Sequence, residues 1–193
     1  MQEGSTMRIY LRTILLVAIC LPFVTTTFAQ ETLWNELDAK ATKLYQQGKY
    51  SDAVKVTKEA LKVAKRTFGP DHPDVATSLN NLALLYRSQG KYEEAEPLYR
   101  RALVIYEKAL GKNHPQVAQS LNNLGLLYYS QGRYARVEPF YARALAIWED
   151  AFGPDHPNVL TVLENMSDLY KNIGKEDEAK RLEERVKIIR SSQ

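Results

Sequence analysis

Apolar residues recur at intervals of three and four along two stretches of the chain that are separated by Gly90. The two series are Val75, Leu79, Leu82, Ala83 and Tyr86, and then Ala95, Leu98, Tyr99, Ala102, Leu103 and Tyr106. This spacing places each series on one face of an α-helix. Glycine readily adopts the left-handed conformation in which many helices end, so Gly90 predicts a tight reversal between two helices.

The helix-turn-helix pattern is repeated at a fixed interval. Gly69-Pro70-Asp71-His72-Pro73 returns as Gly111-Lys112-Asn113-His114-Pro115 and as Gly153-Pro154-Asp155-His156-Pro157, 42 residues apart each time. Each proline suits the first turn of a helix, where its missing N–H costs nothing. The sequence therefore predicts an all-α chain of about four hairpins, in units of about 31–68, 69–110, 111–152 and 153–193.

This pattern resembles the tetratricopeptide repeat, and the 42-residue period is similar to that of kinesin light chains. Small and large residues fall where the family has them in the second-helix series Ala95, Tyr99, Ala102, and its counterpart is Val137, Tyr141, Ala144, in which Val137 replaces the usual alanine. The outer units match less well, because four positions that the family makes apolar or small hold Lys40, Thr57, Ser167 and Glu183. The resemblance implies a solenoid wound into a right-handed superhelix, with the first helix of each unit lining a concave surface.

Helical geometry identifies side chains that lie beside the apolar stripe and are expected on the concave surface. The candidate peptide-binding residues are Asn80, Asn81, Leu84, Asn122, Asn123, Leu126, Tyr129 and Asn165. Asparagine carries a donor and an acceptor, and can hold the backbone of an extended peptide without selecting its side chains. The resemblance implies the same use, because related repeats bind peptides through first-helix asparagines.

Two further properties of this surface follow from the sequence. The alternative role of the asparagines is structural: pairs of the kind Asn80 and Asn123 bond between neighbouring helices and keep the units in register. At the C-terminal end, Glu164 and Asp168 make the surface acidic, which favours a basic segment in the partner.

The beginning of the chain differs from the rest. Arg8 and Arg12 precede an apolar run, residues 14–21, and Thr27-Phe28-Ala29 then offers small residues at the two positions that determine cleavage. This order is typical of a secretory signal peptide. The alternative, an uncleaved membrane anchor, requires about 20 apolar residues, and the run is much shorter.

We therefore expect residues 1–29 to be a signal peptide, with the start of translation at Met1 or Met7, and residues 30–193 to form the repeat domain. The mature protein would be periplasmic or secreted, with no stable insertion into the membrane. Because the only cysteine, Cys20, lies in the predicted leader, the mature chain would form no disulfide and contain no cysteine nucleophile.

Charge and motifs exclude several classes of function. The 26 basic and 23 acidic residues give a net charge of +3 with alternating signs, whereas nucleic-acid binding requires a clustered basic face. His72, His114 and His156 are each separated by a whole hairpin, while the ligand atoms of one zinc ion lie ~2 Å from it. Phosphate-binding loops and nucleophile-elbow serines are missing from the sequence. We expect no metal, no cofactor and no enzymatic activity.

Together these features predict an interaction module that binds a protein or an extended peptide. The alternative is a structural, self-associating array, a homo-oligomer whose concave surface holds no peptide.

Overall fold

The structure is a computed structural model that describes residues 28–191. Within that range it contains eight α-helices: α1 (28–46), α2 (Tyr50–Phe68), α3 (Pro73–Ser88), α4 (Tyr92–Leu110), α5 (Pro115–Ser130), α6 (Glu138–Phe152), α7 (Pro157–Asn172) and α8 (Glu176–Ser191). The described residues form no strand, and the predicted all-α class is confirmed. Most of the predicted signal peptide, residues 1–27, lies outside the described residues, whereas residues 28 and 29 belong to α1.

The first helix of each unit reverses into the second through a turn at glycine. At Gly90, φ is 73°, and the flanking backbone bonds join Lys91 N to Tyr86 O and Gly90 N to Arg87 O, both at 2.9 Å. This pair of bonds is the Schellman motif, which requires a left-handed residue at its centre. Gly132 repeats the motif with a φ of 68°. The predicted reversal at Gly90 is confirmed, and the repeat reproduces it 42 residues later at Gly132.

A histidine precedes the first proline of α3, α5 and α7. Each ring accepts a hydrogen bond through Nδ1 from the backbone N–H two residues on, at 3.3 Å for His72 and 3.2 Å for His114 and His156. A side chain in this position satisfies one of the N–H groups that a helix leaves without a partner at its start. The sequence predicted the helix starts correctly and did not identify the histidines as their caps.

Large aromatic residues fill the core between successive helices. The largest of the fully buried side chains are Tyr99, Tyr106, Tyr128, Tyr141 and Trp148, each no more than 2% exposed. For Tyr141, a small residue of the first helix makes room. At Gly125, an ideal Cβ would lie 2.3 Å from Cε1 of Tyr141, so only glycine lets this ring pack against α5.

The third unit departs locally from the others. Its second helix begins with a 3₁₀ turn, Tyr134–Arg136, and the α-helix starts at Glu138, whereas the equivalent helix of the second unit is α-helical from Tyr92. This change coincides with Val137, which is fully buried where Ala95 lies in the second unit.

Helix α8 has one buried face and one charged face. Ala179, Val186 and Ile189 are buried against the array. Beside this face, Glu183 forms an ion pair with Lys171 of α7, and Arg190 forms one with Glu164 of α7. These two pairs link α8 to the first helix of its own hairpin. None of the helices in the described residues is long and apolar enough to cross a membrane.

Candidate functional site

The first helices of the four hairpins are linked side by side through polar side chains. Trp34 Nε1 donates to Ser78 Oγ at 2.9 Å between α1 and α3, and Asn172 Nδ2 donates to Tyr129 OH at 2.7 Å between α5 and α7. We call the partly exposed side of α1, α3, α5 and α7 the first-helix face. Its side chains include Asp38, Tyr45, Asn81, Leu84, Asn123, Leu126, Tyr129 and Asn165.

Two of the eight candidate residues do not lie on this face. Asn80 is 7% exposed and Asn122 is 4% exposed. Asn80 Nδ2 donates to Ser120 Oγ at 2.9 Å, and Asn122 Oδ1 accepts from Asn165 Nδ2 at 3.1 Å. The expectation that both side chains line an open surface is wrong, because each is buried between neighbouring first helices and holds two units in register.

Asn81 and Asn165 are partly exposed, but each is also bonded to the preceding unit. Asn81 Nδ2 donates to Asp38 Oδ1 at 2.7 Å, in the same way that Asn165 reaches back to Asn122. The register role that the sequence left as an alternative for the asparagines is therefore present in the structure. Its partners are Asp38, Ser120 and Asn122 rather than Asn123.

Asn123 differs from the other asparagines. Its Oδ1 accepts from Gln119 Nε2 of the same helix at 3.2 Å, and its Nδ2 donates to no other group in the described part of the chain. The side chain is partly exposed near the middle of the first-helix face. Leu84 and Leu126, also partly exposed, hold equivalent positions on α3 and α5. This part of the face offers an amide donor beside apolar surface.

Tyr129 is shared between structure and surface. Its ring packs against Tyr134 at 5.3 Å, and its hydroxyl accepts the bond from Asn172. Burial, followed by the negative charge of Asp168, raises the pKa of Tyr129 above its ordinary value. The side chain stays partly exposed and can still offer its ring edge to a ligand.

The charges at the C-terminal end are more balanced than the sequence suggests. Glu164 is paired with Arg190 of α8, a contact that one helix pattern alone does not reveal. Asp168 forms no ion pair with any residue of the described range and remains exposed. The acidic character of this end therefore rests mainly on Asp168.

Sequence reasoning missed Arg87, at the end of α3. It stands where Tyr45 and Tyr129 stand in the first and third units. Its Nε is buried and has no hydrogen-bond partner among the described residues. The sequence could have indicated this residue, because Arg87 is positively charged where the equivalent positions of the first and third units hold tyrosine.

The described residues contain no group of three or more histidine, cysteine, aspartate or glutamate side chains arranged to hold a metal ion. The three histidines cap helices, as described above.

Comparison with known proteins identifies the sequence pattern. The sequence model of the tetratricopeptide repeat matches residues 34–108, 74–145 and 131–187, which together span most of the chain. None of the curated proteins that were compared matches this chain.

Several solved structures are similar. BtubC (BKLC) from P. vanneervenii has a TM-score of 0.76 and 29% identity over 84% of this chain, which spans 65% of the length of BtubC. A structure of nearly identical TPR-like repeats, named for a kinesin light chain of Podosopora anserina, has a TM-score of 0.68 and 23% sequence identity. The match covers 82% of this chain and 75% of that one. Aspartyl phosphate phosphatase F from Bacillus subtilis has a TM-score of 0.70 and 18% sequence identity, and the match covers 84% of this chain and 41% of that one. At this identity the similarity shows a shared fold alone.

Proposed function

Because this chain belongs to the tetratricopeptide repeat family, which is typical of scaffolds for protein–protein interaction and generally non-catalytic, we propose that it binds an extended peptide segment of a partner protein along the first-helix face. Asn123 carries the proposal. Its carboxamide donor is free to meet a peptide carbonyl, and Leu84 and Leu126 supply apolar contact on either side.

The central position of Asn123 favours this role. Binding energy concentrates where the interface excludes water best, and the rim contributes little. Asn81 and Asn165 would assist with the carboxamide oxygens that their bonds to Asp38 and Asn122 leave available. Asp168 would favour a basic residue in the part of the peptide that lies over α7.

We further propose that binding takes place outside the cytoplasm, in the periplasm or beyond the cell. The support is the order of residues 1–29, in which arginines, a short apolar run and small residues follow one another as in a signal peptide.

The test replaces Asn123 with alanine. Peptides selected from a displayed random library against the native chain serve as ligands, and affinity is measured by titration calorimetry. Loss of one hydrogen bond to a desolvated peptide group costs ~1–3 kcal/mol, so we expect affinity to fall roughly tenfold while circular dichroism is unchanged.

Asn113→Ala is the matched control, because Asn113 is an exposed asparagine in a loop between hairpins. Unchanged affinity of a correctly folded Asn123→Ala chain would contradict the proposal. Sedimentation showing a stable oligomer would then favour the self-associating alternative.

A further inference from the structure

One polar contact is repeated where the second helix of a hairpin packs against the first helix of the next. Between the second and third hairpins, Glu96 Oε1 accepts a hydrogen bond from the Tyr128 hydroxyl at 2.7 Å. Between the third and fourth, Glu138 Oε1 accepts one from the Tyr170 hydroxyl at 3.1 Å, and Lys175 Nζ lies 3.8 Å from Oε2 of the same carboxylate. The two glutamates are 42 residues apart, as are the two tyrosines, so the repeat places a carboxylate on a phenol hydroxyl twice.

Two arginines complete the contact around Glu96. Arg100 Nε lies 2.9 Å from Glu96 Oε1, and Arg133, just after the glycine turn, lies 3.8 Å from Oε2. The guanidinium group of Arg133 also lies 5.5 Å from the centre of the Tyr128 ring. Burial alone would raise the pKa of Glu96, but the hydrogen bonds from Tyr128 and Arg100 hold it below its ordinary value. One hydroxyl and two cations in this arrangement therefore stabilise an ionised carboxylate.

The interface between the first and second hairpins has the same donors and lacks the carboxylate. Tyr86 of α3 is the equivalent tyrosine, and Val54 of α2 stands where the other two interfaces have glutamate. Lys58 Nζ and Lys91 Nζ lie 5.7 Å and 5.9 Å from the centre of the Tyr86 ring. The two lysines hold the register positions of the two arginines, 42 residues earlier.

These three donors are without an acceptor in the part of the chain that the structure describes. The Tyr86 hydroxyl makes no hydrogen bond there, and Lys58 and Lys91 form no ion pair. Both lysines are exposed, and Tyr86 is partly exposed with a hydroxyl that is open to solvent. A group from outside can therefore reach all three donors without moving a core residue.

We propose that Tyr86, Lys58 and Lys91 bind an aspartate or glutamate side chain of a partner protein, in the place that corresponds to Glu96 one hairpin further on. Two ammonium groups alone would accept any anion. The carboxylate is assigned because the chain itself holds a carboxylate on the equivalent donors at its next two interfaces. Hydrogen bonds from charged donors to a carboxylate are about twice as strong as neutral ones. The site lies on α2 and at the hairpin turn, beside the first-helix face, so it does not rest on the proposed function.

The first test supplies the missing carboxylate from within the chain. Val54→Glu should form the bond to Tyr86 and raise the melting temperature by about 2–4 °C relative to Val54→Gln, which has the same length and no charge. The gain should disappear when Tyr86→Phe is added. Equal melting temperatures of the two Val54 variants would show that these donors do not bind a carboxylate and would overturn the proposal.

The second test adds sodium acetate to the native chain and follows chemical shifts, with sodium chloride at the same ionic strength as the blank. We expect a saturable shift at Tyr86 that is absent from Val54→Glu and several-fold weaker in Tyr86→Phe. Tyr128 and Tyr170 are internal controls, because glutamates of the chain already occupy their hydroxyls. No saturable shift at Tyr86, or equal shifts at all three tyrosines, would contradict the site. Sulfate binding tenfold more tightly than acetate would assign it to a different class of anion and reject the carboxylate.

The third test identifies the source of the carboxylate. A capped pentapeptide of glycine and serine with one central glutamate should bind, and the same peptide with glutamine should not. A stronger response to the glutamine peptide with a free C-terminus would overturn the assignment to a side chain. Self-association of the native chain that Val54→Glu abolishes would assign the carboxylate to a second copy and reject a different partner.

Asn123→Ala separates this inference from the proposed function. It should weaken the peptides selected on the first-helix face and leave acetate binding at Tyr86 unchanged. Loss of the acetate response in Asn123→Ala would show that the two surfaces are one and would overturn the separate site. Failure of the peptide test with acetate binding intact would reject the proposed function alone.

Discussion

At the scale of single residues, the contact between Gly125 and Tyr141 determines how closely the hairpin of the third unit can pack. Helix interiors disfavour glycine by about 1 kcal/mol relative to alanine, yet α5 holds glycine near its centre. The ring of Tyr141 explains this choice, because it occupies the place where a Cβ would be. Glycine lowers the helix propensity of α5 at this position, and the space that it leaves allows the Tyr141 ring to be buried.

This contact predicts that Gly125→Ala destabilises the protein even though alanine is the better helix former. Overpacking against the ring should cost ~1–3 kcal/mol, measured by urea unfolding. In a Tyr141→Thr background, which copies the Ala41 and Thr57 pair of the first hairpin, the same change should be neutral or stabilising. Additive effects in this double-mutant cycle would show that the two residues are not coupled.

The asparagine pairs show what the sequence leaves open at this scale. Asn80-Asn81 and Asn122-Asn123 are adjacent, and neighbours on a helix point about 100° apart. Both members border the apolar stripe, so periodicity predicts that both are near the surface and cannot decide which is buried. The answer depends on Ser120 and Asn165 of the next unit, whose polar groups meet the buried member.

At the scale of the hairpin, the glycine turns are the best predicted feature. Glycine after an apolar helical stripe predicted both the position and the left-handed conformation of the turn at Gly90, and the 42-residue repeat places Gly132 in the same conformation. The histidine caps were not predictable in the same way. Histidine is not among the residues preferred at a helix N-cap, and the contact depends on a ring orientation that no sequence pattern encodes.

Replacing Gly132 with valine should destabilise the protein by on the order of 1 kcal/mol or more, because the Cβ of an L-residue at a positive φ crowds the backbone carbonyl oxygen. Gly132 has open space around it, so the cost would come from the backbone and not from a clash. Gln131→Val is the control in the same turn, because φ at Gln131 is −83°. It should lower the free energy of unfolding by only a few tenths of the amount expected for Gly132→Val. Thermal melts in which both variants coincide with the native protein would contradict the left-handed assignment.

At the scale of the whole molecule, the terminal hairpins explain where family resemblance weakens. Thr57 and Glu183 both depart from the tyrosine of the inner hairpins. Glu183 pairs with Lys171 of the same hairpin. Thr57 leaves a cavity between α1, α2 and α3 instead. Both departures were visible in the sequence, but their different consequences depend on what faces each residue.

Export is a prediction at this scale as well. If residues 1–29 are removed, the intact mass of the protein recovered outside the cytoplasm should equal that of a chain beginning at Gln30. Ala29→Leu, at an exposed position of α1, should block cleavage without disturbing the fold, and its product should keep the leader. A native chain that retains Met1 or Met7 would be an anchored protein and would contradict the prediction.

The polar bonds between first helices have a mechanical consequence. They join each unit to its immediate neighbour, as Trp34 does with Ser78, Asn80 with Ser120 and Asn122 with Asn165. Interfaces arranged in this way carry a pulling force in series, so tension applied to the two ends passes through each of them in turn. Under tension, the array would then lengthen at one interface at a time. A peptide bound across several units would resist this lengthening.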